Sequence, residues 1–216
     1  MSAARDYQIG GWEADPEQDT DPRQRRRWTV REFRRLFEAE ILAQDARVEL
    51  VRGEIFEMSP MNPRHATSMR KIGRALLRAF GEGFVVSDQL PLELGADTEV
   101  YPDFSVCAGD PDDFSDRHPN GALLVIEVSD STIRFDRTQK AALYASAGIL
   151  EYWIVDLKGR RVEVRRDPIT SEAEDGVHDY RVTTIYLPGQ TFSPLSNAEV
   201  TIAVAALLPH TKEPNT

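Results

Sequence analysis

The spacing of apolar and polar residues along the chain changes between a helical and an extended period, which predicts an α/β domain. Apolar residues at helical spacing predict three helices, at about 29–41, 63–80 and 136–147. Alternating or continuous apolar runs predict strands, in chain order at 48–51, 54–58, 84–94, 100–107, 122–128, 151–155, 162–164 and 180–185. A final apolar segment at 200–208 completes the predicted domain.

Residues that favour helix ends mark the boundaries of the three helices. The predicted N-terminal caps are, in chain order, Thr29, Asn62 and Asp136. Glu32 stands three residues after the first cap, which is the spacing of a capping box, and Ile41 is expected to close that helix's apolar stripe. Pro63 suits the first turn of the second helix, and Gly148 suits the left-handed residue that ends the third.

The order of the predicted elements indicates the fold class. A hairpin and a helix precede three strands, and a helix then separates those strands from the next one. Such a helical crossover predicts a mixed central β-sheet flanked by helices on both faces. The run 122–126 is apolar at every position, as is typical of a central strand that is covered on both faces.

Length and composition predict a single domain. With 216 residues, 41% of them apolar and 29% charged, the chain is expected to form one domain at 27–208. Residues 1–26 are polar and lack an apolar period, so they predict a flexible N-terminal tail, and 209–216 predict a loose C-terminal tail.

Three features of the sequence indicate a cytoplasmic protein without a membrane partner. No segment approaches the roughly 18 consecutive apolar residues of a membrane helix. The polar, acidic N-terminus lacks the basic start and apolar centre of a secretory leader. Cys107 is the only cysteine, so no internal disulfide can form and a reducing intracellular compartment is expected.

The charge of the chain argues against binding of nucleic acid through bulk electrostatic attraction. The net charge is −10 at pH 7, whereas such binding depends on Lys and Arg side chains that neutralise phosphates. One dense basic cluster is made of Arg23, Arg25, Arg26, Arg27, Arg31, Arg34 and Arg35. This cluster fits either a solvated helix start, which is the commoner case, or a phosphate-binding patch.

Two carboxylates are each expected to close a strand, on neighbouring strands of the predicted sheet. Asp103 comes directly after Pro102, and Glu127 comes after five apolar residues, so both are expected at one edge of the sheet. Burial of Glu127 there costs several kcal/mol unless a cation or hydrogen-bond donors compensate it. Oxygen ligands on adjacent strands are suited to Mg²⁺. The alternatives are that Pro102-Asp103 opens a turn and that Glu127 reaches solvent at a strand end.

Lys140, on the helix after this strand, is the candidate cation. It stands four residues after Asp136, so it could form an ordinary ion pair on a solvated helix face, worth about 0.3–0.5 kcal/mol. It could also lie beside the metal, where it would orient the attacking water or neutralise charge on the phosphate. Both interpretations can hold in part.

Glu49 and His65 are further candidates. Glu49 alternates with Val48 and Leu50, so its side chain faces either a cleft or solvent. His65 lies in the first turn of its predicted helix, where it could reach a metal or phosphate or simply lie on the surface. The sequence contains no glycine-rich phosphate loop, no paired Cys ligands and no Ser or Cys nucleophile with a paired base.

These motifs, in this order, resemble the Uma2 family of endonucleases, which belongs to the PD-(D/E)XK restriction-endonuclease-like superfamily. The resemblance spans about residues 28–165. It rests on Val48 to Glu54, Met58-Ser59-Pro60, His65, Pro102-Asp103, Glu127 to Thr132, Asp136, Lys140, Tyr144, Gly148-Ile149 and Glu151 to Asp156. It implies a restriction-endonuclease-like α/β core and Mg²⁺-dependent cleavage of nucleic acid.

Matched by position, Asp103 and Glu127 resemble the two metal-binding acids of the superfamily. The superfamily lysine belongs two residues after Glu127, where this chain has Ser129. Lys140 resembles the migrated substitute that this family supplies from the helix. Glu49 and His65 match family positions near the site.

The hypothesis from the sequence is a metal-dependent endonuclease that hydrolyses phosphodiester bonds of nucleic acid, with DNA as the expected substrate. Asp103, Glu127 and the carbonyl of Val128 would bind Mg²⁺, with Mn²⁺ as a substitute, and Glu49 or His65 would be a supplementary ligand or acid/base. The sequence does not fix the oligomeric state; a homodimer is suggested only by analogy with nucleases that need two sites to cut two strands. One rival is a catalytically degenerate protein on the same fold that binds nucleic acid or a partner. Another is a hydrolase of smaller phosphate esters.

Overall fold

The described residues, 25–58, 60–170 and 176–210, form two main β-sheets, a separate two-stranded sheet and a set of helices in a computed structural model of the chain. The helices are α1 (Val30–Glu38), α2 (Pro63–Ala79), α3 (Ile133–Phe135) and α4 (Ala141–Ser146). A π-helical turn, Asp136–Lys140, joins α3 to α4 in one continuous helical segment. Of the predicted tails, only 25–26 and 209–210 lie within the described residues. In these ranges, no helix is both long and apolar enough to cross a membrane.

The strands are numbered here in chain order. They are β1 (Val48–Val51), β2 (Glu54–Glu57), β3 (Phe84–Asp88), β4 (Leu92–Glu93), β5 (Glu99–Val100), β6 (Phe104–Ala108), β7 (Leu124–Ser129), β8 (Glu151–Asp156), β9 (Arg161–Ile169), β10 (Asp179–Tyr186), β11 (Thr191–Phe192) and β12 (Ile202–Ala203).

The larger sheet has six strands in the order β10-β9-β8-β7-β6-β3. The pair β7–β8 is parallel and the other pairs are antiparallel, because the helical segment 133–146 crosses over between β7 and β8. The prediction of a mixed central sheet with helices on both faces is therefore confirmed. A parallel pair needs such a crossover connection, which the helical period before Gly148 indicates in the sequence.

Alternation along β7 assigns each face of this sheet to a different helix. Leu124, Ile126 and Val128 pack in a cluster with residues of α2, whereas Val125 packs with residues of α4. Side chains on a strand alternate between faces, so Glu127 shares the face of Val125. This carboxylate therefore points toward the crossover helix.

The smaller sheet has the order β2-β1-β5-β4 and carries α1 on one face. Val48 and Leu50 are buried against α1 together with Phe33 and Val30. Glu49, between the two apolar residues of β1, faces the opposite side. Arg34 of α1 is ion-paired with acids of the small sheet, so this member of the basic cluster ties the helix to the sheet.

Two predicted strands are each divided between the two sheets, which corrects the sequence interpretation. The predicted strand 84–94 is split into β3 of the large sheet and β4 of the small sheet, and 100–107 is split into β5 and β6. Gln89, with a left-handed φ of 49°, interrupts the first, and Pro102, which has no N–H to donate, lies in the break of the second. The chain passes between the sheets at both breaks.

Two of the predicted helix details are wrong. The Thr29–Glu32 capping box is confirmed, but α1 ends at Glu38 and Ile41 is 70% exposed, outside the apolar stripe. The third helix begins at Ile133, with Thr132 as its cap residue, so Asp136 lies inside the helical segment and does not cap it. Gly148 does end this segment in the left-handed conformation, with φ 73°.

Gly53→Ala is expected to lower the free energy of unfolding by about 1–3 kcal/mol. Gly53 has φ 78° in the β1–β2 turn, and an added Cβ would lie 2.5 Å from Arg27 Cβ. Urea denaturation of Gly53→Ala measures the change. Gly81→Ala is the matched control, because a Cβ there meets nothing within 4 Å, and equal loss in both variants would contradict the prediction.

Candidate active site

Asp103 and Glu127 lie side by side at one edge of the large sheet. The β6–β7 register pairs Phe104 with Ile126, and its continuation by one residue places Asp103 opposite Glu127. Glu127 stands near the carboxyl end of β7, whereas Asp103 precedes β6. The expectation that an acid closes each strand is therefore corrected, because β6 is antiparallel to β7 and begins where β7 ends.

The Asp103 carboxylate is held by three donors. Its Oδ2 accepts the backbone N–H of Val128 at 2.8 Å. Its Oδ1 lies 3.0 Å from Nε2 of His65 and accepts from the Gln89 amide at 3.3 Å. Asp103 is thus buried and oriented, and Oδ2, which accepts one hydrogen bond, keeps a second lone pair for another ligand.

The first turn of α2 brings His65 to this carboxylate. Asn62 caps the helix by accepting the N–H groups of Arg64 and His65, each at 3.0 Å, as the sequence predicts. The imidazole is thereby fixed at the cavity wall, where it contacts Asp103.

Lys140 lies between Glu49 and Glu127 and is buried. Its Nζ donates to Glu49 Oε2 at 2.7 Å and lies 3.6 Å from Glu127 Oε1. An ion pair with Asp136 on a solvated helix face, the alternative in the sequence, is not formed. The π-helical turn that ends at Lys140 places this side chain beneath the small sheet, so three separate elements meet at one ammonium group.

Glu127 is buried among charges that do not cancel. Its Oε1 accepts the Tyr144 hydroxyl at 2.6 Å. Burial, opposed by Lys140 and reinforced by the Asp103 and Asp136 carboxylates, raises the pKa of Glu127 to about 8. Burial alone would lower the pKa of Lys140, but the Glu127 and Glu49 carboxylates outweigh it and raise that pKa. The ammonium is therefore charged near neutral pH and paired with Glu49, and the buried Glu127 carboxyl, with its raised pKa, keeps its proton to a higher pH than an exposed Glu does.

Asp136 is a buried member of the same cluster that the sequence interpretation took for a helix cap. Its Oδ2 accepts the hydroxyl of Thr132 at 2.7 Å, and Tyr152 donates to its backbone carbonyl at 3.1 Å. Burial, partly offset by the Thr132 and Ser129 hydroxyls, raises the pKa of Asp136. Ser129, where the superfamily has lysine, thus contributes a hydroxyl to this carboxylate.

These side chains line one cavity of about 320 Å³ between the two sheets. Glu49, His65, Asp103, Glu127 and Lys140 all reach it. Sequence reasoning assigned no role in the site to Gln89, Tyr144 or Asp136, although Asp136 and Tyr144 are among the residues that carry the family resemblance. The local sequence does not show which residues Gln89, in a left-handed conformation, and Asp136, inside a helix, will contact. Tyr144 stands one helical turn after Lys140 on the same face, which is a local indication that it lies near the site.

The donor chemistry of the cavity fits a hard divalent cation. Among the described residues, no group of three or more His, Cys, Asp or Glu side chains is arranged to hold a metal ion. Mg²⁺, however, usually binds through one or two carboxylates and keeps several waters. The adjacent acids Asp103 and Glu127 meet that requirement, and a cation between them would oppose the burial and the neighbouring carboxylates that raise the pKa of Glu127.

Between about pH 5 and pH 8, the metal-free protein is expected to lose stability as pH rises. The folded-state pKa of Glu127, about 8, exceeds its unfolded value near 4.5, so the folded protein holds a proton that the unfolded chain releases. Urea denaturation in EDTA at both pH values measures the loss, on the order of 1–3 kcal/mol. Glu127→Gln should remove most of this slope and the exposed control Glu82→Gln should not; equal slopes in all three would contradict the assignment.

Comparisons with known proteins agree with this fold. The chain is similar to a crystal structure described as "a putative nuclease belonging to DUF820 from Anabaena variabilis ATCC 29413". The two are 15% identical, the match covers 83% of this chain and 97% of that chain, and the TM-score is 0.61, which shows a shared fold. No curated protein matches the chain.

A family model covers most of the chain. Residues 30–205 match Uma2, described as "Putative restriction endonuclease". The match includes both sheets, the crossover helix and every side chain that lines the cavity. The resemblance found in the sequence is confirmed, and the chain belongs to the Uma2 family of restriction-endonuclease-like proteins.

Proposed function

We propose that the protein is a metal-dependent endonuclease that hydrolyses phosphodiester bonds of nucleic acid, with DNA as its expected substrate. The observation that carries the proposal is the pairing of Asp103 with Glu127 beside a buried lysine in an open cavity. Such a pair on neighbouring strands, with a cation supplied from the next helix, is suited to phosphoryl chemistry, in which positioning and charge stabilisation dominate.

Asp103, Glu127 and the backbone carbonyl of Val128 are the proposed metal ligands. Bound there, Mg²⁺ or Mn²⁺ would stabilise the negative charge that develops on the phosphate. The N–H of Val128 already fixes one oxygen of Asp103, so the backbone of β7 orients its neighbour's carboxylate. This hydrogen bond leaves the rest of the Asp103 carboxylate facing the cavity with His65.

Lys140 is proposed to orient the attacking water and to neutralise charge on the phosphate. Its ammonium has three N–H groups, one of which donates a hydrogen bond to Glu49. The remaining N–H groups can donate to a water or a phosphate oxygen in the cavity. Glu49 therefore positions the Lys140 ammonium, and the Tyr144 hydroxyl positions the Glu127 carboxyl.

His65 is proposed to orient Asp103 and to serve as the nearby acid or base. Its Nε2 is engaged with Asp103 at 3.0 Å, so it supports that carboxylate before substrate binds. His65 therefore lies on the Asp103 side of the cavity, and Glu49, which is hydrogen-bonded to Lys140, lies on the Lys140 side. The two supplementary residues thus support different halves of the site.

Nicking of supercoiled plasmid by purified protein in Mg²⁺, in Mn²⁺ and in EDTA tests the proposal. Cleavage that requires the divalent ion supports it. Binding of nucleic acid without cleavage in either metal would favour the catalytically degenerate reading, to which the net charge of −10 and Ser129 at the usual lysine position both point. Hydrolysis of small phosphodiesters alone would favour the rival hydrolase. Sedimentation of the protein with and without DNA tests the homodimer.

A further inference from the structure

Two exposed phenylalanines stand at the rim of the candidate active site. Phe56 of β2 is 44% exposed and Phe135 of α3 is 36% exposed, and both line the cavity that contains Asp103 and Glu127. A single exposed apolar residue is common on protein surfaces and calls for no explanation. Here two aromatic rings from different elements, β2 and α3, line the same acidic cavity, and this pairing calls for an explanation.

Both rings are among the side chains that line the cavity. The β1–β2 register pairs Phe56 with Glu49, so the two side chains lie on the same face of the small sheet. Phe135 directly precedes Asp136, whose carboxylate belongs to the buried cluster. Both rings are partly exposed and line the cavity, so their faces are accessible to a ligand that binds there.

The charge around the cavity disfavours a double helix. Among the described residues that line it, six are acidic, and the only Lys or Arg side chains are Arg47 and Lys140. Lys140 is already paired with Glu49. A duplex brings two closely spaced phosphate backbones, whose binding depends on several cationic contacts. A single strand carries fewer phosphates and offers base faces that stack on aromatic rings.

A second cavity, of about 300 Å³, extends the path of such a strand. It shares Arg47, Met58, Gln89 and Tyr101 with the first cavity, so the two cavities adjoin. Phe37 adds a further aromatic wall. The exposed Arg47 stands at the junction, where a phosphate between two nucleotides would pass.

We propose that the substrate is an unpaired nucleic-acid strand, with bases beside the scissile phosphate stacked on Phe56 and Phe135 and a neighbouring phosphate bound by Arg47. The proposal rests on the proposed nuclease function and specifies its substrate class. Stacking is tolerant of sequence, because every base has a π-face. The aromatic rim thus supplies the affinity that the acidic cavity does not.

Fluorescence anisotropy tests the stacking. The probes are labelled DNA and RNA strands of about 15 nucleotides, a length that covers the usual sites for single strands, and the blunt DNA duplex of the same sequence. Binding is measured in Ca²⁺ and again in EDTA. Phe56→Ala and Phe135→Ala should each weaken single-strand binding about 5- to 100-fold, whereas Phe56→Trp should retain it. Leu77→Ala, at a 69% exposed position of α2, should leave binding unchanged.

Arg47→Ala supplies an independent readout. It should lower the slope of log affinity against log salt by about 0.7, the loss of one contact to a single strand, whereas Arg74→Ala, on an exposed position of α2, should not.

The proposal is overturned if wild type binds the duplex as tightly as the single strand or binds neither, or if both Phe→Ala variants bind as wild type does. Metal-dependent cleavage without a preference for single strands would overturn this inference and leave the nuclease function standing. Phe-dependent single-strand binding without cleavage of that strand in Mg²⁺ or Mn²⁺ would contradict the nuclease function and leave the unpaired strand as a ligand of the cavity.

Discussion

Asp103→Asn is expected to reduce nicking of DNA at least 100-fold while the protein remains folded. The substitution removes one of the two carboxylates proposed to bind the metal, and loss of charge stabilisation of this kind typically costs two or more orders of magnitude in rate. The amide of Asn can still accept the N–H of Val128, so the hydrogen bond to β7 is preserved. Single-turnover nicking in Mg²⁺ and thermal unfolding of the same sample measure the two effects separately.

Asp103→Asn is not expected to lower the stability of the metal-free protein at pH 8. The Asp103 charge is one of the causes that raise the pKa of Glu127, so its removal should bring that pKa closer to the ordinary value. The metal-free variant is therefore expected to unfold at or above the temperature of wild type at pH 8. Asp116→Asn, in the exposed loop before β7, is the matched control and should nick as wild type does. Wild-type nicking by Asp103→Asn would remove Asp103 from the mechanism.

Lys140→Met is expected to abolish nicking and also to lower the free energy of unfolding by about 3–5 kcal/mol. The ammonium is buried between Glu49 and Glu127, so its removal leaves a buried carboxylate without its cation. In a domain of this size, such a loss lowers the unfolding temperature by several degrees or more. Thermal unfolding and nicking are measured on the same protein, with the exposed Lys158→Met as control.

The double variant Glu49→Gln/Lys140→Met separates folding from catalysis. Because the neutral amide no longer needs a cation, stability should recover in part, whereas nicking should stay absent. Recovery of nicking together with stability would show that Lys140 acts only through the fold. Wild-type stability of Lys140→Met alone would contradict the buried ion pair.

The sequence was sufficient to predict the mixed central sheet and the meeting of its two acids. The apolar run before Glu127 indicates a central strand, and the helix before Gly148 indicates the crossover that places β7 beside β8. Asp103 and Glu127 then meet because their strands are neighbours. These features depend on local period and chain order, which a single sequence contains.

The partners of Lys140 could not be predicted in the same way. Glu49 stands 91 positions earlier and belongs to a second sheet, and nothing in the local pattern shows that strands 84–94 and 100–107 are each shared between two sheets. The start of the third helix at Ile133 was also missed, since no side-chain cap marks it. The sequence therefore predicts Asp136 as a helix cap, although it is a buried acid of the site.

Calorimetric titration of Mg²⁺ and Mn²⁺ into wild type and Asp103→Asn tests the central claim most directly. A divalent ion that binds wild type and fails to bind Asp103→Asn, with both proteins folded, is the result that a metal centre at Asp103 and Glu127 predicts. Absence of binding to wild type, or equal binding to both proteins, would contradict a metal centre at these two carboxylates.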